Sequence, residues 1–291
     1  MNEVASVRSF NRTVTARVGA LQDEYLARGR PLGASRVLWE VGEGATDVRS
    51  LRSRLDLDSG YLSRLLRSLE RDGLVAVGPD RSDKRVRSVR LTARGRSEHA
   101  LLDRRSDELA RSLLDPLSEA QRERLVDAMG VVERLLTAGL VDVAIEDPRT
   151  PAARFCLRSY YTELDARFDT GFDPGRAIST TPEELTEPAG LLLVARLRGE
   201  PIGCGALKLQ GSPPFYLKRM WVAPGARGLG VGRRLLRELE DQARKRGAEV
   251  VYLETNKTLT EAASLYRSSG YVEVEPFNDE PYAHHWFQKR L

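Results

Sequence analysis

Only two of the 291 residues are cysteine and only three are histidine. Cys156 and Cys204 lie far apart with no CxxC spacing, so no disulfide framework can be drawn, and both are expected as reduced core residues. No set of metal-ligating residues stands out, and no metal is expected. No apolar run approaches the roughly 20 residues of a membrane span. The opening MNEVASVRSFNRT lacks the apolar stretch of a signal peptide, so a cytoplasmic protein with no membrane partner is expected. No segment is biased enough to read as bulk disorder, and a hydrophobic content of 41% is sufficient for real cores. The length suits two domains of about 140 residues better than one.

Charge is divided unevenly. Residues 1–139 hold 25 Lys+Arg against 21 Asp+Glu and residues 140–291 hold 21 against 21, so the whole net charge of +4 belongs to the first part. It is concentrated further in RSDKRVRSVRLTARGR (81–96), with seven basic residues and one acid. Such a segment suits a polyanion partner or a solvated basic loop.

The first part reads as helices plus one hairpin. Val4, Val7, Phe10, Val14, Val18, Leu21 and Tyr25 recur at spacings of three and four, which predicts a helix over 3–28 with one buried stripe. ASRVLWEVG (34–42) and TDVRSLRSRLDL (46–57) follow, the latter with Thr46 or Asp47 as cap. In DSGYLSRLLRSLERDGLV, Asp58 can cap and Leu62, Leu65, Leu66 and Leu69 fall on one face, which leaves Ser59, Tyr61, Ser63, Arg64 and Arg67 exposed. LVAVGPDRSDKRVRSVRLT alternates, turns at Gly78-Pro79-Asp80, and alternates again as a hairpin with a basic tip. An exposed polar-basic helix followed by a basic hairpin is the order of a winged helix-turn-helix. The helix fits the DNA major groove and the extended arginine loop reaches phosphates or the minor groove.

LSRLLRSLERDGLV, the wing DKR and LTARG (91–95) resemble the MarR family of regulators. The resemblance implies binding to double-stranded DNA, with Arg85 entering the minor groove and Asp83 orienting it. Lys84 and Arg87 add charge on the same hairpin. Apolar residues on the first helix and across 97–140 exceed what a small winged domain covers, and the surplus fits a homodimer.

The second part alternates strands and helices and reads as an α/β unit with a mixed sheet. VDVAIE (141–146), LLLVARL (191–197), PIGCGALKL (201–209), PFYLKRMWVA (215–223), EVVYLET (249–255), YVEVE and AHHWFQKR are the strands. PAARFCLRSYYTELDARF (151–168), residues 231–246 and TEAASLYRSSG are the helices. In VAPGARGLGVGRRLL a strand runs into a glycine-rich turn and then a helix, which gathers unpaired N–H groups at the positive end of a helix dipole and suits a pyrophosphate. The turn is neither G-x-G-x-x-G nor a P-loop.

R-G-x-G-x-G between V-A-P and LL, with KRMWV before it, LETN after it and then AASLYRSSGY, resembles the GNAT acyltransferases. The whole chain then reads as multidomain: an all-α-rich winged helix domain at 1–139, followed by an α/β GNAT domain at 140–291. The resemblance implies acetyl-CoA as cosubstrate. The backbone of Met220 and Val222 would pair with the pantetheine arm, and the amides of Gly228, Leu229, Gly230, Val231, Gly232 and Arg233 would cradle the pyrophosphate. Arg227, Arg233 or Arg234 can add charge at the rim, and Asn256 would bond the pantetheine. Tyr266 matches the family's general acid. Relatives often carry a glutamate on the strand before the glycine turn, where this chain has Tyr216, so Glu254 is the candidate base.

The acceptor side falls on SYYTELDARFDTGFDP (159–174), where Tyr160, Tyr161, Phe168 and Asp169, with neighbouring acids, suit a cationic amine. His284 and His285 are candidates to line the site or ordinary strand residues. Three functions stay open: an N-acetyltransferase acting on a small amine or amino-acid-like substrate, a regulator that senses acetyl-CoA or the acceptor without turnover, and a protein-lysine acetyltransferase. For the last, Lys84, the only lysine in 1–139, is the candidate target.

Overall fold

A computed structural model describes residues 2–20, 26, 29–44, 47–79, 84, 87–178, 181–209 and 214–291. The chain divides into two compact units, Met1–Met129 and Gly130–Leu291.

In the first unit α1 spans Glu3–Arg17, with the Asn2 side chain accepting from the Ala5 amide at its start. The helix expected over 3–28 therefore ends early. Val18 caps it and Gly19 takes a left-handed φ of 69°, a conformation that stops α-helices; Leu21 and Tyr25 lie outside the described residues. The expected buried stripe is not covered among the described residues, for Val4, Val7, Phe10 and Val14 are 39–66% exposed. Next come α2 (Leu32–Gly42), α3 (Val48–Leu55) and α4 (Ser59–Arg71). Asp47 caps α3 by accepting from the Arg49 and Ser50 amides, and Asp58 caps α4 by accepting from Tyr61 at 2.8 Å. Val37, Leu38, Leu51, Leu62, Leu66 and Leu69 close one core with Leu74, Val89 and Leu102.

The hairpin pairs β1 (Val75–Pro79) with β2 (Arg87–Leu91), antiparallel from Val75↔Leu91 to Pro79↔Arg87. The strand thus runs through the Gly78-Pro79 expected as a turn, and Asp80 lies outside the described residues. The long α5 (Ala93–Leu114) starts at Thr92, whose hydroxyl accepts from the Gly95 amide and donates to the Gly73 carbonyl. Gly95 is required there because a Cβ would stand 1.9 Å from the Leu74 carbonyl oxygen. The LTARG motif is therefore the lock between hairpin and helix. The helix α6 (Glu119–Ala138) runs across the division at Met129/Gly130; it buries no residue, and Val126, Met129, Leu135 and Leu136 are each more than half exposed.

The second unit is a seven-stranded mixed sheet of β3 (Val141–Ile145), β4 (Gly190–Leu197), β5 (Glu200–Lys208), β6 (Phe215–Val222), β7 (Val250–Thr255), β8 (Val272–Val274) and β9 (His285–Arg290). The spatial order is β3-β4-β5-β6-β7-β9-β8, with only the β6–β7 pair parallel. On one face α8 (Val231–Lys245) buries Leu235, Leu236, Leu239 and Ala243 against Leu193, Leu207 and Leu217. On the other, α7 (Pro151–Arg167) places Ala153 and Cys156 against Val194, Cys204, Ala206 and Trp221. The helix α9 (Thr260–Ser268) follows β7.

Two irregularities shape this sheet. β6 and β7 pair only at Phe215↔Val251 and Tyr216↔Tyr252, so their C-terminal ends separate and open a crevice. In β5–β6 the register passes from Ala206↔Lys218 to Cys204↔Trp221, so Gly205 stands opposite both Arg219 and Met220. This bulge re-aims the strand. Phe215 and Leu217 face α8 before it, whereas Met220 and Val222 do so after it and Trp221 turns to the α7 side.

Candidate functional site

A cleft of about 540 Å³ opens where β6 and β7 part, lined by Met220, Val222, Arg227, Gly228, Gly230, Val231, Gly232 and Arg233 on one side. Gly228 and Gly230 hold φ of 83° and 76°, and nothing lies within 4 Å of where a Cβ of either would stand. This is a backbone cradle that any side chain would fill. Among the described residues, the amides of Gly228, Gly230, Val231, Gly232 and Arg233 donate to no backbone carbonyl, and the last three open the first turn of α8. The arrangement fits the pyrophosphate of coenzyme A. Two expected contributors are turned elsewhere. The Leu229 amide donates to the Ala226 carbonyl at 3.4 Å and its side chain packs inward on the core. Arg227 is held by both oxygens of Glu163 at 2.6 Å and by the Val222 carbonyl. Among the described residues Arg233 bonds only Ser268 Oγ at 3.4 Å and stands exposed at the rim without an acid partner, while Arg234 donates to the Val141 carbonyl.

A second, smaller cavity of about 80 Å³ lies between α7, β6, the end of β7 and the 280–283 segment. It shares Tyr160, Leu164, Met220, Leu259, Ala262 and Tyr266 with the cleft. Tyr266 therefore stands on both walls. It is 5% exposed, packed against Tyr271 and Phe287, and burial pushes its phenol pKa well up, with the Tyr160 and Glu254 charges adding to this. The hydroxyl keeps its proton through the neutral range. Glu254 lines the small cavity; Lys218 Nζ bonds its Oε1, while its Oε2 is buried with no hydrogen-bond partner. Tyr216 packs instead with Tyr252 and Phe277 at the paired end of the two strands.

Asn256 lies on the small cavity rather than on the cleft. Its side chain donates to the Tyr282 carbonyl at 2.7 Å and accepts from Thr258 N and Oγ1, so it holds the loop after β7. Tyr160 and Phe168 line the cavity, and Tyr161 stacks on Phe172 beside it. Asp169 points away, paired with Lys257 at 3.6 Å and 73% exposed. The neighbouring acids are equally engaged. Glu163 takes Arg227, Arg167 and the Trp221 indole N–H, Asp165 accepts from the Phe172 amide, and Asp173 accepts from Gly175. The acidic face expected to meet a cationic amine is thus committed to ion pairs and turns. His284 is exposed and His285 pairs with Glu273, and neither is among the residues lining the cleft or the small cavity.

The residue that sequence reasoning passed over is Arg219. It stands in the bulge at φ 56°, 8% exposed, with its guanidinium 5.6 Å from the Tyr160 ring centroid and 5.1 Å from that of Tyr161. The Cys204 thiol donates to its carbonyl at 3.3 Å. The signal was present in FYLKRMWV, where strict alternation puts an arginine in a slot otherwise held by Phe215, Leu217 and Trp221.

In the first unit, α4 exposes Ser59, Tyr61, Arg64 and Arg67, with Ser63 half-buried. Arg64 lies over the Tyr61 ring at 5.7 Å and Arg67 Nε bonds the Ser63 carbonyl. Lys84 and Arg87 are exposed on the hairpin; Asp83 and Arg85 lie outside the described residues. Among the described residues no cluster of three metal-ligating side chains occurs, and no helix is long and apolar enough to cross a membrane.

The acetyltransferase (GNAT) family matches residues 157–271, and the MarR family matches residues 29–86. A protein named IAA acetyltransferase from Azospirillum brasilense is 40% identical over 96 residues, covering 33% of this chain and 63% of its own length. N-alpha-acetyltransferase RimI of Mycobacterium tuberculosis is 39% identical over 115 residues, 38% of this chain and 70% of its own. HTH-type transcriptional regulator TtmR of Methylorubrum extorquens is 45% identical over 67 residues, 23% of this chain and 33% of its own. The chain spans about three fifths of the length of curated relatives such as the Azospirillum protein.

Proposed function

Because this chain belongs to the GNAT acetyltransferase family and carries a MarR-family region ahead of it, we propose that it is a DNA-binding regulator fused to an acetyl-CoA-dependent N-acetyltransferase. In this reading residues 1–139 are the regulator domain and 140–291 the acetyltransferase domain. The observation that carries the catalytic half is the junction of two cavities at Tyr266: a glycine-lined cleft suited to coenzyme A on one side, and a smaller cavity with an unpartnered carboxylate oxygen on the other.

Acetyl-CoA supplies an activated acyl carbon: the amine nitrogen forms a C–N bond there while the C–S bond breaks and leaves a thiolate. Tyr266 holds the proton that the thiolate needs. Glu254 takes the surplus amine proton on Oε2, directly or through water, and Lys218 on Oε1 keeps that carboxylate oriented. The free amides of Gly228 and Gly230 to Arg233 bind the pyrophosphate, and Tyr160 and Phe168 wall the acceptor.

The N-terminal unit binds double-stranded DNA in the cytoplasm through the exposed face of α4 and the basic hairpin. The uncovered stripes of α1 and α6 support a homodimer. A specific observation favours one second reading. Tyr216 stands on the strand where relatives often carry a glutamate, and Glu254 is already paired with Lys218, which suits a sensor that binds acetyl-CoA without turnover. Release of CoA thiol across a panel of amines separates the two. Turnover on any amine supports the enzyme, whereas acetyl-CoA binding with no turnover supports the sensor.

A further inference from the structure

We propose that Arg219 binds a carboxylate of the acceptor, so that the amine acetylated here is an amino carboxylate of the α-amino-acid type. The inference rests on the acetyltransferase reading above and names its substrate class.

Arg219 is more than nine-tenths buried and lines the acceptor cavity; its guanidinium is hydrogen-bonded to the Tyr160 side chain, yet among the described residues it forms no ion pair and its Nε has no hydrogen-bond partner. The other buried or half-buried bases near the acceptor side have acids, Lys218 with Glu254 and Arg167 with Glu163 and Glu261, as does the exposed Arg227 with Glu163, whereas Arg233 stands in solvent at the rim of the cleft. The acid that Arg219 feels in the same cavity, Glu280, directs its oxygens to the Ile178 and Tyr282 amides. A buried guanidinium left without an anion is costly, and the cost falls when a ligand brings one.

The fold maintains this arrangement against strain. Arg219 adopts a left-handed φ that a non-glycine residue reaches only at the expense of about 1–2 kcal/mol, and such strain gathers at ligand-binding positions. The bulge, the Cys204 thiol on its carbonyl and the two tyrosine rings hold it there. A guanidinium fixed in this way presents its planar fork to a carboxylate with little entropy left to lose.

The cavity's second unmatched atom completes the argument. Glu254 Oε2 is a buried acceptor with no donor, as Arg219 Nε is a buried donor with no acceptor. A molecule that satisfies both carries an N–H group and a carboxylate together. Phe168, Phe172 and Tyr282 supply an apolar wall for its side chain.

The test compares L-phenylalanine, L-leucine and L-methionine with their primary amides in the thiol-release assay, on the full chain and on Arg219→Gln. The wild type is expected to favour each acid over its amide by about 10- to 100-fold in kcat/KM, the scale of a charge-assisted hydrogen bond, and Arg219→Gln to abolish that preference. A general loss of structure would lower acids and amides alike and would leave their ratio intact. Equal or better turnover of the amides by the wild type overturns the inference while leaving the acetyltransferase reading in place. Calorimetric titration of the three acids and their amides into the coenzyme A-saturated protein decides the matter without turnover. Selective binding of the acids, lost in Arg219→Gln, upholds the inference even if catalysis fails; binding of neither series overturns it. If Arg219→Gln does not fold, the wild-type acid-to-amide ratio decides alone.

Discussion

Replacing Tyr266 by phenylalanine isolates one hydroxyl in a site that otherwise keeps its shape. The ring is packed between Tyr271 and Phe287, with centroids 5.8 and 6.0 Å away, and these contacts survive the change. Among the described residues no hydrogen bond to the Tyr266 hydroxyl is formed, so stability should move by no more than about 0.5 kcal/mol. What is lost is a proton that burial holds in place at neutral pH, at the wall shared by cleft and cavity. General acid catalysis contributes about 10²- to 10⁴-fold, which is about 2.7–5.4 kcal/mol of barrier. Steady-state thiol-release kinetics should show kcat reduced on that scale, with the KM for acetyl-CoA changed by no more than about threefold and the melting temperature unmoved. A variant whose kcat stays within about threefold of wild type would refute the assignment of Tyr266 as proton donor.

Other consequences follow from the same geometry. The raised Tyr266 pKa means that its acid form persists as pH rises through the ordinary phenol value of 10.0, so the wild-type pH–rate profile should lack an alkaline fall due to this group below that pH; a fall present in wild type and missing from Tyr266→Phe would contradict this. Gly95→Ala places a methyl against the Leu74 carbonyl at the hairpin–helix lock and should destabilise the N-terminal unit by about 1–3 kcal/mol, read as a lower thermal midpoint. Lys84→Gln should leave folding intact and make the slope of log K against log salt for duplex DNA shallower by about 0.9; an unchanged slope removes Lys84 from the phosphate contacts. Incubation with acetyl-CoA followed by mass spectrometry tests the protein-acetylation alternative, which requires Lys84 to gain an acetyl group.

The alternating and 3.6-residue patterns made most elements legible, because each element buries one face and the burial repeats with its geometry. The leucines of α4 and α8 and the glycines at 228 and 230 sit where periodicity and turn chemistry put them. What pattern could not give is competition for a side chain. Arg227 and Asn256 carry the right chemistry in the right segment, yet Glu163, 64 positions away, takes the first, and the Tyr282 carbonyl, 26 away, takes the second. The apolar spacing of the first helix continues past Gly19, where the backbone turns left-handed and the helix has already ended, so spacing alone overstates its length. The bulge at Arg219 was hidden for a similar reason: one strand's alternation looks unbroken until its partner's register is known. The placement of β9 between β7 and β8 is likewise a matter of pairing, not of local sequence.

Calorimetric titration of acetyl-CoA into the wild type and into Gly230→Ala tests the central claim most directly. In the wild type the open amides at 228 and 230–233 should give measurable association, and a methyl at residue 230 should weaken it by at least about tenfold, or 1.4 kcal/mol, in a protein that still melts cooperatively. No association with the wild type, or equal affinity in a folded Gly230→Ala, would contradict the account.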